Sequence, residues 1–124
     1  MVTEESQETS QIEVFDDSED HAYVITVDGE KAGKAVYHIR GGRYFFVHTE
    51  IDNQFEGKRL GSQLVQFALE DIKLKDGSVV PICPFVRGYI KRHPEYDELI
   101  DHEILARIER SEAKHRDEGD LGLK

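Results

Sequence analysis

HTEIDNQFEGKRLGSQLVQFALEDI, residues 48–72, decides how this chain reads. Its first four residues end a run rich in aromatic and β-branched side chains, Arg43–Ile51, the composition of a strand. From Leu60 the pattern changes. Apolar residues fall at 60, 64, 67, 68 and 72, with Gln63, Gln66, Glu70 and Lys73 between them, which is helical spacing and predicts a helix over 60–74. Between strand and helix lies a loop containing Gly57 and Gly61. The first turn of a helix leaves backbone N–H groups without intrahelical partners, and the helix dipole adds partial positive charge there. Glycines let a large anion approach, and Lys58 and Arg59 add full charges, so the junction suits a phosphate or pyrophosphate. Taken alone, two glycines before a helix more often make only a turn. Neither the Walker spacing nor the three-glycine dinucleotide spacing is present.

Toward the N-terminus, Ile12, Val14 and Phe15 suit a short first strand, and His21–Val27 a second. Asp28-Gly29 is a hairpin signal. Lys31–Ile39 is predicted to place Ala35, Tyr37 and Ile39 on one face, and Gly41-Gly42 turns it into Arg43–Ile51. Three antiparallel strands then form a meander. Toward the C-terminus, Asp76-Gly77 ends the long helix and Ser78–Cys83 (SVVPIC) reads as a short buried strand. Pro81 within it predicts an edge or a bulge, since proline cannot donate to a ladder. A helix is expected over 85–92, broken by His93-Pro94, and another over 95–116 with Ile100, Ile104, Leu105 and Ile108 on one face. Residues 117–124 are expected to fray. Hairpins followed by a β-α-β crossover imply an α/β (α+β) mixed sheet. We expect the principal helix on one face and the shorter C-terminal helices on the other.

The formal charge of −10 is unevenly placed: residues 1–20 carry −8, residues 21–100 are neutral and residues 101–124 carry −2. The acidic segment 1–11 has little apolar surface to bury and is expected to be a disordered leader, dispensable for folding. The working domain is then 12–100, followed by a C-terminal helix and tail over 101–124. One cysteine, Cys83, rules out an internal disulfide and suits a reducing compartment. The acidic N-terminus has no apolar signal core, and no run of about 18 apolar residues appears. A cytoplasmic location is therefore expected, with no membrane partner. The absence of a long basic stripe argues against nucleic acid, and no Cys/His cluster suggests a metal. A monomer or weak homodimer is expected.

Several motifs in fixed order resemble one known family. Glu56-Gly57-Lys58-Arg59-Leu60-Gly61 occupies the frame of the Gln/Arg-x-x-Gly-x-Gly/Ala loop with which GNAT acetyltransferases hold the pyrophosphate of CoA. His48-Thr49-Glu50, Cys83-Pro84-Phe85, Tyr89-Ile90 and His93-Pro94-Glu95-Tyr96 are similar to the motifs of its minimal, single-domain members. The resemblance spans about residues 12–100. It departs from the loop pattern at Glu56, where many members have Arg or Gln, and at Arg59, where the middle glycine usually sits. It implies the GNAT fold, acetyl-CoA as donor, and an amine acceptor, small molecule or protein, that it leaves unidentified. It assigns CoA contacts to Thr49, Ile51, Gly57, Lys58, Arg59, Leu60, Gly61 and Ser62. The pantetheine arm is expected between two splayed strands, 44–51 and 78–83.

The resemblance also nominates four catalytic candidates, each with a plainer alternative. Cys83 is either a buried small hydrophobe or a thiol facing the acetyl thioester, as nucleophile or as pocket wall. His48 is either a backbone-bonded imidazole or a general base. Glu50, sharing its face by strand alternation, is the rival base. Tyr89 either protonates the departing thiolate or packs in the core with Phe85 and Ile90. His93 and Tyr96 read as structural. Two other functions stay open: a non-catalytic acyl-CoA-binding or sensing module, and an interaction domain with a vestigial loop.

Overall fold

The computed structural model describes residues 11–122. Five strands run β1 (Ile12–Asp17), β2 (Ala22–Val27), β3 (Glu30–Arg40), β4 (Arg43–Ile51) and β5 (Ser78–Pro81). Three α-helices follow the meander: α1 (Leu60–Leu74) before β5, then α2 (Pro84–Arg92) and α3 (His102–Gly122). The strands lie in sequence order; β1 to β4 pair antiparallel and β4 pairs parallel with β5. Asp28–Gly29 and Gly41–Gly42 have positive φ at all four positions, as two-residue hairpin turns of this hand require. Residues 1–10 of the expected leader, and residues 123–124, lie outside the described residues. Gln11 belongs to the fold: its N–H donates to Asp28 Oδ1 at 2.8 Å and its carbonyl accepts the Asp28 N–H at 2.7 Å.

α1 has the bounds its periodicity predicts, but its buried stripe is wider. Val65 and Leu69 are buried with Leu60, Leu64, Ala68 and Ile72, while Phe67 turns partly outward. The stripe meets Tyr23, Ile25, Ala35, Tyr37, Tyr44 and Phe46 of the sheet in one core. Ile39 is not part of it: at the far end of β3, beyond the helix, it is 46% exposed.

Three other expectations are corrected. β5 stops at Pro81, so Cys83 is the N-cap residue of α2 rather than part of a strand. α2 does not cross to the opposite face, because the Phe85 ring packs against Gly61 of α1. The segment after Pro94 is not one helix. Pro94–Leu99 forms a 3-10 turn, held to α1 by the Tyr96 hydroxyl donating to Glu70 Oε2 at 2.6 Å. Ile100 is extended and bridges Val79 of β5, and the Asp101 N–H donates to the Val79 carbonyl at 2.9 Å. A backbone committed to a sheet edge cannot also be helical, so α3 begins only at His102. Asp101 Oδ1 accepts the Ile104 N–H at 3.1 Å, an N-cap. Past Arg116, where the helix was expected to end, α3 continues to Gly122.

A polar cluster ties β1, β2 and β3 to the end of α1. The Tyr23 hydroxyl donates to Asp71 at 2.7 Å, Lys75 Nζ lies 2.7 Å from Asp71 and 3.1 Å from Asp16, and the Tyr37 hydroxyl donates to Asp16. Burial and these bonds push both phenols well up. Burial alone would raise the Asp71 carboxyl, yet Lys75 and Tyr23 hold it below its ordinary range. Asp71 in turn raises Lys75. A carboxyl depressed by folding stabilises above its unfolded value, near 4, and loses that effect as pH falls through the folded value. An ammonium raised by folding stabilises fully below about 10.4 and loses that effect as pH rises through its folded value. Lys75→Met should therefore cost about 1 kcal/mol between roughly pH 4 and 10, a modest figure because the cluster is part-exposed. Urea melts of parent and variant across pH test this: a difference unchanged down to pH 2 would exclude the cluster as its source.

Candidate active site

The site is made where β4 leaves β5. Their parallel pairing runs from Arg43–Ser78 to Phe46–Pro81 and then stops. Ile82, whose N–H is next in line for β4, instead donates to the Val80 carbonyl at 3.0 Å, so the strand turns away there. The Cys83 N–H donates to the Phe46 carbonyl at 2.8 Å, and the chain then turns into α2. Beyond Phe46, β4 is paired only with β3.

β4 is also bulged there. Tyr37 pairs with Phe46 and Val36 with His48, leaving Val47 without a partner. One extra residue reverses the alternation. Thr49, opposite Ala35, comes back to the α1 side of the sheet, and His48 and Glu50, opposite Val36 and Lys34, take the other. Cys83 Sγ donates to Thr49 Oγ1 at 3.4 Å across the gap, and Cys83 is only 5% exposed. On the other side, His48 Nε2 lies 3.1 Å from Glu50 Oε1, with Lys34 Nζ 3.9 Å from Glu50 Oε2. The His48 hydrogen bond, helped by Lys34, holds the Glu50 carboxyl below its ordinary range. The four catalytic candidates therefore divide. His48 and Glu50 form a pair, Cys83 joins Thr49, and Tyr89 stands apart, 3% exposed, with its ring stacked on His93 at 4.2 Å. Burial raises the Tyr89 phenol.

From the gap a cleft of about 400 Å³ runs to the start of α1. That size lies within the range of small-ligand sites. Of the eight residues assigned to CoA, seven line it: Thr49, Ile51, Gly57, Arg59, Leu60, Gly61 and Ser62. Lys58 instead lies over the Phe55 ring, 5.9 Å from its centroid. Phe55, itself buried, pins the loop under that contact. Phe55, Phe85 and Arg92 also line the cleft, and the sequence reading did not assign them. The Cys-Pro-Phe motif was a signal for Phe85; nothing local marked Arg92.

The start of α1 is open. Arg59, its N-cap residue, has φ 59° and ψ 26°, the left-handed conformation that a glycine would adopt freely. Among the described residues no side chain caps the helix, its first turn holds no acidic residue, and the first intrahelical bond is Gln63 N–H to the Arg59 carbonyl at 3.2 Å. The amides of Leu60, Gly61 and Ser62 thus have no partner within the helix. With Arg59 they supply what a pyrophosphate needs. Glu56 lines the same cleft, and Glu50 borders it from β4 with its carboxyl turned to His48 on the other side.

Gly61, besides lining the cleft, has a packing task that its motif position does not reveal. A Cβ there would lie 2.5 Å from Phe85 Cζ, so the glycine lets α2 dock on α1. Gly61→Ala should destabilise by about 1–3 kcal/mol through overpacking. In a Phe85→Ala background the same change should cost almost nothing. A urea-melt double-mutant cycle measures the coupling, and additive losses would show that the two residues do not meet.

The sequence profile of the GCN5-related N-acetyl-transferase family matches residues 22–99, from the first core strand to the 3-10 turn after α2. No curated protein matches the chain. The match covers well over half of the 124 residues and includes every element that builds the cleft, so the chain belongs to the GCN5-related N-acetyl-transferase family.

Proposed function

We propose that this protein transfers an acetyl group from acetyl-CoA to an amine. The observation that carries the reading is one cleft that runs from the uncapped start of α1 to Thr49, which Cys83 contacts from behind, with the His48 and Glu50 side chains on the opposite side of β4. The free amides and Arg59 bind the pyrophosphate, Ile51 and Phe85 flank the arm, and the thioester supplies an activated acyl group when bound.

Transfer needs an unprotonated amine, a donor for the developing oxyanion and a proton for the departing sulfur. Glu50, held ionised, orients His48 through Nε2 and leaves Nδ1 to take the amine proton as the amide N–C bond forms and the thioester C–S bond breaks, the proton then passing to the CoA sulfur. The Thr49 hydroxyl and Cys83 thiol are the polar groups at the gap. Cys83 is 5% exposed and packed against Thr49, which leaves an acceptor little access to its sulfur and favours direct transfer over an acetyl-cysteine.

A binding or sensing module is the second reading. It is favoured by the exposure of the pair, 58% for His48 and 53% for Glu50, with little protein around them to exclude water. One assay separates the two: acetyl-CoA turnover over a panel of polyamines, small amines and lysine peptides, beside calorimetry with CoA. A transferase gives product. Saturable binding without product on any amine supports the module, and no binding overturns both. With an acceptor in hand, His48→Ala should lower kcat on the order of 100-fold while leaving CoA affinity unchanged. Cys83→Ala should keep most of the activity. Complete loss in Cys83→Ala, with an acetylated thiol in the parent that passes to acceptor at the turnover rate, would replace direct transfer by a covalent route.

A further inference from the structure

Arg92 is the last residue of α2 and lines the cleft together with Phe85, seven positions earlier. Seven positions are two turns, so both side chains leave the same side of the helix. Phe85 docks on Gly61 beside the free amides of α1. Arg92 does not point away from them. A Cβ on Gly88 would lie 3.6 Å from one Arg92 guanidinium nitrogen, so the side chain folds back over the preceding turn, toward Phe85.

The neighbouring cation is already committed. Arg87 donates to the carbonyls of Pro81 and Ile82 at 3.2 and 3.4 Å and lies 3.7 Å from Glu109. Arg92 forms no ion pair with another described residue, though it sits among the cleft-lining groups. Along the cleft the order is therefore free amides, Phe85 ring, Arg92 guanidinium. The nucleotide of CoA carries two anionic groups on one ribose: the pyrophosphate at the 5′ carbon and a monophosphate at the 3′ carbon. With the first on the amides and Arg59, the Arg92 guanidinium is the remaining cation of the cleft for the second.

We infer that Arg92 binds the 3′-phosphate of the CoA ribose, making the end of α2 the element that distinguishes CoA from 3′-dephospho-CoA. This rests on the CoA reading above and adds to it a subsite and its ligand group. A planar guanidinium suits a phosphate with two parallel donors, which an ammonium cannot reproduce.

The test is calorimetry of the full chain with CoA and with 3′-dephospho-CoA, in the parent, Arg92→Gln, Arg92→Lys and Lys91→Gln. Lys91, exposed on the same turn and outside the cleft, removes the same charge and reports any general electrostatic effect. The parent should prefer CoA by on the order of tenfold. Arg92→Gln should abolish the preference by weakening CoA alone, Arg92→Lys should keep part of it, and Lys91→Gln should keep all of it. A preference that survives in Arg92→Gln, or equal weakening of both nucleotides, overturns the inference. A parent that binds both nucleotides equally overturns the inference and leaves the CoA reading standing. A parent that binds neither overturns both.

Discussion

The rest of the molecule depends on one backbone turn, at Ile82, whose N–H bonds back to the Val80 carbonyl instead of across to β4. A parallel pair of ordinary strands would continue as far as both chains stayed extended. Here the ladder between β4 and β5 ends at Phe46–Pro81, because the Ile82 N–H turns back to Val80 and the two backbones separate. The separation is local, because the Cys83 N–H still holds the Phe46 carbonyl, so the gap opens from a fixed corner. The bulge at Val47 acts at the same level of the sheet. One defect opens a space and the other decides which side chains face it. Without the bulge Thr49 would sit on the far side of β4 from α1, and the Cys83–Thr49 contact could not form.

A gap in a five-stranded sheet weakens it, and the packing around the gap is correspondingly firm. α1 buries six side chains against the aromatic face of β2, β3 and β4, and Tyr23, Tyr37 and Phe46 meet one another at centroid distances between 5.4 and 6.2 Å. At the other end of β4, Arg43 Nε donates to Asp101 Oδ2 at 2.7 Å, and Asp101 also caps α3. β5, short and on the edge, is thus braced on its outer side by Ile100 and the start of α3. The parts that make the cleft are held by neighbours on both sides, which preorganised binding requires.

Much of this fold is legible from local chemistry. Asp28-Gly29 and Gly41-Gly42 can hardly be anything but two-residue turns, and fifteen residues of helical spacing give α1 at its observed bounds. What escapes a reading of the sequence is tertiary. The same periodicity that finds α1 assigns residues 95–116 to one helix, because Ile100 fits the helical stripe. In the folded chain Ile100 fills the edge of β5, and no local pattern distinguishes the two uses. Gly61 reads only as room for a phosphate, since the residue it also accommodates, Phe85, lies 24 positions on. Strand alternation pairs His48 with Glu50 correctly, yet a bulge leaves no mark in composition, so the divided placement of His48 and Cys83 is visible only in three dimensions.

Arg59 shows how local stability is set against an open site. A helix that began with Ser, Thr, Asp or Asn would gain about 1 kcal/mol from a cap, but the capping oxygen would take an amide that faces the cleft. Glycine at the same place would relieve roughly 1–2 kcal/mol of left-handed strain, but it would carry no charge. Arginine does neither and accepts the strain. On the scale of a domain held by about 5–15 kcal/mol, that is affordable only if the surroundings enforce it. They do: Phe55 on one side and Leu60 on the other are both buried, so the three residues between Phe55 and Arg59 have little freedom to relax the turn. The outcome is a helix start with its amides unoccupied and a guanidinium beside them, an arrangement poor for the helix taken alone and suited to an anion.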